Sequence, residues 1–184
     1  MYEIPDEFVI NVFGRGAAKS PMTKQIAAGV CHCVVLCSNI YYDLLDRGFI
    51  SADKDESTAG LFSFFRMYRK IAEGYSMAPH ELNILCKLIS AAVHIAKTTG
   101  LRGETEIMQY ITDPTNKKQS NVALAELEQV YFILLERGRE GTPELETLYN
   151  VVTICELSAP AQRIQGQWDD ELLKSELDVC TLFE

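Results

Sequence analysis

Motifs that by themselves carry chemistry are missing from this 184-residue sequence. It has no G-x-S-x-G nucleophile turn and no H-E-x-x-H zinc helix, His80-Glu81 being only the first half of the latter. The stretch GRGAAKS, Gly14 to Ser20, ends in lysine and serine, but no glycine precedes Lys19, so a phosphate-loop register is not met. Asp53 and Asp55 open like a calcium loop. Thr58 then stands at the sixth position instead of glycine, and Phe64 at the twelfth instead of a bidentate glutamate. With three histidines in the whole chain, little remains from which to build a four-helix metal site. These absences predict a protein that is not an enzyme and needs no cofactor.

Basic residues are also scarce, 17 against 26 acidic ones, for a net charge of −9. The deficit is local: from Glu126 to Glu184 thirteen acidic residues face four basic ones, so that segment accounts for the whole imbalance. A field of this sign repels phosphate backbones and attracts basic surfaces, which argues against direct nucleic-acid binding. The densest basic cluster is Arg66, Arg69 and Lys70, spaced to share one outer helix face.

No apolar run reaches the roughly 20 residues that a membrane span needs. The longest, IAAGVCHCVVLC from Ile26 to Cys37, is flanked by Lys24 and Gln25 on one side and by Ser38, Asn39 and Asp43 on the other. The N-terminus has no basic region followed by an apolar core, so no export signal is read there. A cytoplasmic protein with no membrane partner is expected, its six cysteines reduced and buried as small hydrophobes.

What the sequence does contain is helical periodicity. Ser20 as N-cap, Pro21 at the first helical position and Gly48 as terminator delimit one long helix, about 21–47. Its middle is apolar on nearly every side, which places it inside a bundle, while Tyr41, Tyr42, Asp43, Asp46 and Arg47 mark its emergence into water. Further helices are expected at 57–73, 79–97, 104–111, 121–137, 143–157 and 169–182, the pair 121–137 and 143–157 forming an antiparallel hairpin across Gly138–Gly141. Residues 1–19 form an N-terminal segment, irregular or carrying a short helix with Phe8, Val9, Val12 and Phe13, broken by Gly14 and Gly16. The fold class is all-α: a single-domain bundle of six to eight helices around the long central one.

Three functional readings follow. The first is a non-enzymatic protein-binding module, of the adaptor, immunity or phage and mobile-element antagonist type, that docks a basic partner through its acidic C-terminal third. The residues assigned to that surface are Glu136, Glu140, Glu144, Glu146, Asp169, Asp170 and Glu171. Phe62, Phe65 and Tyr68, on the aromatic-rich helix at 57–73, are candidates for a homodimer seam or partner groove. The second reading is a nucleic-acid mimic that blocks a DNA- or RNA-binding protein. The third is a helical enzyme dependent on a metal or a cysteine. For it, Cys33 and Cys37 share one helix face at i, i+4, but Cys31, His32 and Cys33 point about 100° apart and cannot meet on one ion. A second pair from another helix is required, with Cys86 and His94 the candidates. The acidic pairs Glu144/Glu146 and Asp169/Asp170 have an ordinary explanation too, since carboxylates in a first helical turn oppose the helix dipole.

Overall fold

In the computed structural model the described residues are 5–48, 50, 61, 79–113, 115–116, 121–139, 151–153 and 155–156, and no strand occurs among them. The chain opens with α1 (Asp6–Phe13), which buries Val9, Val12 and Phe13. Gly14, at φ +93°, turns the chain into a short 3-10 turn, Arg15–Ala18. The long helix α2 (Pro21–Asp46) follows.

The start of α2 is fixed by local chemistry. The Thr23 amide donates to Ser20 Oγ at 3.2 Å, and the Ser20 amide donates back to Thr23 Oγ1 at 3.3 Å, a reciprocal cap built with threonine in place of the usual acid or amide. Thr23 Oγ1 in turn donates to the Ala17 carbonyl at 2.7 Å, tying the 3-10 turn to the helix. Lys24 and Asp6, 3.1 Å apart, pin α1 to the same end. At the far end Gly48, at φ +76°, donates its amide to the Leu45 carbonyl, the left-handed exit that the sequence predicts.

Three further helices complete the described fold: α3 (Pro79–Thr99), α4 (Glu104–Thr112) and α5 (Val122–Arg139). Gly100, at φ +70°, ends α3, its amide donating to the Ala96 carbonyl at 2.9 Å. Asn121 caps α5, its Oδ1 accepting from the amides of Ala123 and Leu124, while its Nδ2 donates to the Tyr110 hydroxyl of α4. Leu61, 151–153 and 155–156 are also helical. The other residues expected to form helices at 57–73 and 143–157, the whole of the helix at 169–182 and the connection between 139 and 151 lie outside the described residues.

Helix α2 is the centre. It touches α1, the 3-10 turn, α3, α4 and α5, while α3 packs most extensively on α5 and α2. One continuous hydrophobic core runs from Val9 through Ile26, Val30, Ile40 and Leu44 of α2, Leu85 and Leu88 of α3 and Leu127 and Leu134 of α5, to Val151 and Cys155. Burial of α2 extends further than the sequence suggests. Tyr41 and Leu44 are fully enclosed, because the apolar stripe continues past Asp43 into the last turn.

By length and composition α2 could cross a membrane, as could α3 and α4 if their 98° bend were one broken span. However, 72% of the apolar window of α2 is buried within the fold, so its apolar surface is already covered by protein.

Candidate functional site

The outer face of α5 forms the first candidate site. Leu124, Leu127, Val130, Tyr131 and Leu134 recur at three- and four-residue steps and turn into the core. The opposite face is therefore apolar by composition rather than by need. It carries Val122, 56% exposed, and Phe132, 48% exposed, two of the four large apolar side chains that stand out from the described surface. A groove of about 660 Å³ runs here, lined by Ala125, Glu128, Gln129, Phe132, Ile133 and Glu136 of α5 and by Lys87 of α3. A second depression of about 440 Å³ shares Ala125, Glu128 and Gln129 and extends the trough back to Asn121 and Val122. From Val122 to Glu136 the trough follows about 21 Å of helix.

Its polar groups are arranged with a bias. Lys87 Nζ donates to Gln129 Oε1 at 3.0 Å and sits 4.0 Å from Glu126 Oε2, so this ammonium is held against α5 side chains. Glu128 and Glu136 stand at one-turn intervals around Phe132, giving the apolar centre an acidic border. Of the acidic residues assigned to docking, Glu136 is exposed and lines this groove. Glu140, Glu144, Glu146, Asp169, Asp170 and Glu171 lie outside the described residues, as do Arg66, Arg69, Lys70, Phe62, Phe65 and Tyr68. Phe132 and Val122 were legible in the sequence only as members of an undivided apolar set. Their separation from the core stripe could have been read from the 100° step between successive residues.

The second candidate is a thiol cluster inside the bundle. Cys33 and Cys37 of α2 share a face, as their spacing requires, and both are fully buried. The residue that joins them is Cys155, whose Sγ lies 4.0 Å from that of Cys37 and also contacts Cys33. Cys86 and His94 of α3, the candidates for the second ligand pair that a metal site would require, are each half-buried. Cys31 points elsewhere, and burial pushes its thiol up to about 12. Beside the cluster, His32 Nε2 approaches Glu156 Oε1 at 3.3 Å, and these side chains are 23% and 53% exposed. Hydrogen bonds from Cys33 and Cys37 favour the thiolate of Cys155 and draw its pKa down. The same contacts, with burial, hold Cys33 and Cys37 well above the usual thiol range. Among the described residues no group of three or more histidine, cysteine or acidic side chains is placed to hold a metal ion.

Comparison of the chain with protein-family models, curated proteins and solved structures found no match.

Proposed function

We propose that this protein is a non-enzymatic protein-binding module that docks a basic partner through its acidic C-terminal third, with the α5 groove as the anchor point. The observation that carries this reading is the exposed Phe132 set in an apolar trough bordered by Glu128 and Glu136. Large apolar groups at the centre of a docking patch supply affinity, and a charged border speeds encounter and selects the partner's sign. The occupant that fits is an amphipathic helix of another protein, presenting an apolar side chain flanked by lysine or arginine.

The test pairs two surface changes with salt. Tagged wild-type chain, Phe132→Asp and Glu128→Lys/Glu136→Lys are used to capture proteins from the native lysate at low and moderate salt, after thermal melts confirm that all three fold. A basic protein held by wild type, lost with Phe132→Asp and weakened by the charge reversal and by salt, is the expected result. Identical capture by all three sinks the reading. Self-association of the purified chain that depends on Phe132 would reassign the groove to a second copy.

A further inference from the structure

The thiol cluster has no role in docking, and its construction is more specific than core packing requires. Small apolar residues would fill the same space, yet three sulfurs from two distant parts of the chain converge there. We propose that Cys37 and Cys155 are an oxidation site: a peroxide converts them into a reversible disulfide that locks the central helix to the helical turn carrying Cys155.

Geometry supports the pair. Two sulfurs at 4.0 Å are in contact and must close by about 2 Å to bond. The two residues are 118 apart in sequence, so the bond would tie together distant parts of the chain. Cys33, Cys37 and Cys155 are fully buried, and their sequence neighbours His32 and Glu156, 23% and 53% exposed, meet at 3.3 Å; parting that contact is the proposed route for the oxidant. Nucleophilicity also has a source, since the thiols of Cys33 and Cys37 stabilise negative charge on Cys155. Cys33 thereby acts as a positioning residue that favours the attacking form of its neighbour.

The chemistry balances with a hydroperoxide as the oxidant. The sulfur of Cys155 attacks the O–O bond; an S–O bond forms, the O–O bond breaks, and the departing oxygen takes the Cys155 proton and leaves as water when the oxidant is hydrogen peroxide. Cys37 then attacks the sulfenic sulfur; the S–S bond forms, the S–O bond breaks, and the Cys37 proton completes a second water. Two thiols lose two electrons and two protons, and one peroxide becomes two waters. A low-molecular-weight thiol reverses the change by exchange.

The reduced full chain is treated with hydrogen peroxide and followed by intact mass, then digested without reduction. The expected result is loss of two hydrogens and one cross-linked peptide pair containing Cys37 and Cys155, reversed by dithiothreitol. The thermal midpoint should rise by about 10 °C in the oxidised form, because the cross-link closes a loop of over a hundred residues. Cys86→Ser should oxidise as wild type does, while Cys37→Ala should stop at sulfenic acid or further oxidation on Cys155. Absence of an intramolecular disulfide in the wild-type digest, or a linkage through Cys31 or Cys33 instead, overturns the proposal, and neither result depends on a variant that must fold.

Discussion

At the scale of single residues, the end of α2 shows how an exposed contact acts. Arg102 donates to both carboxylate oxygens of Asp46, at 2.6 and 3.0 Å, and its guanidinium lies 4.3 Å above the Tyr42 ring. The hydrogen bonds from Arg102 hold the Asp46 carboxyl below its ordinary 3.8. A depressed carboxylate stabilises the fold above its unfolded-state value and loses that contribution as pH falls through the folded one. Asp46→Asn should therefore be modestly less stable than wild type at neutral pH, the contact being solvent-screened. The two should converge in acid, as pH drops below 3.8. Urea unfolding of both proteins across that range measures the difference; a gap that persists at the acid end contradicts the ion-pair account. Residue-scale signals were also the most legible in the sequence. Ser20, Pro21, Gly48 and Asn121 each sit where their backbone chemistry places them, because caps depend on neighbours within a few positions.

At the scale of elements, α5 divides one apolar composition between a buried face and an exposed one. Leu127 is fully enclosed by the core, whereas Phe132, five residues on, stands half in solvent. Leu127→Ala should cost about 3 kcal/mol through lost burial and the cavity left behind. Phe132→Ala should stay within about 0.5 kcal/mol of wild type. Denaturant titration of the two variants decides whether the faces are assigned correctly: a large loss for Phe132→Ala would mean that its side chain supports the fold rather than a partner. The helix ends observed, at Thr99, Thr112 and Arg139, fall one or two residues beyond those the periodicity gives, since the last turn continues until a backbone donor finds another acceptor. Periodicity locates α5, and only the 100° step taken residue by residue sets Val122 and Phe132 apart from the stripe through Leu127.

At the scale of the whole molecule, legibility falls with distance along the chain. The central position of α2 was readable because a helix apolar on all sides must be surrounded. That Cys155 rather than Cys86 meets Cys33 and Cys37 was not, since it depends on which helices become neighbours, and no local preference encodes a contact 118 residues long. The acidic balance of the last third was plain from composition, while the apolar groove on α5 exists only once α3 is packed alongside.

The reciprocal contacts of α2 have a consequence in time as well as space. A helix that touches every other described helix cannot expose its backbone without dismantling the assembly, whereas α1, eight residues long, packs on its neighbours with only Val9, Val12 and Phe13 buried. Amide hydrogens in the middle of α2, from Val30 to Ile40, should therefore exchange with deuterium only through global unfolding, and those of α1 through smaller openings. In deuterium exchange followed by mass spectrometry, peptides covering Val30 to Ile40 should be the last to label, at a rate that tracks the overall unfolding free energy when denaturant is added. The same amides would then serve as an internal clock for the entire fold, against which the lifetime of every other contact in the molecule can be set.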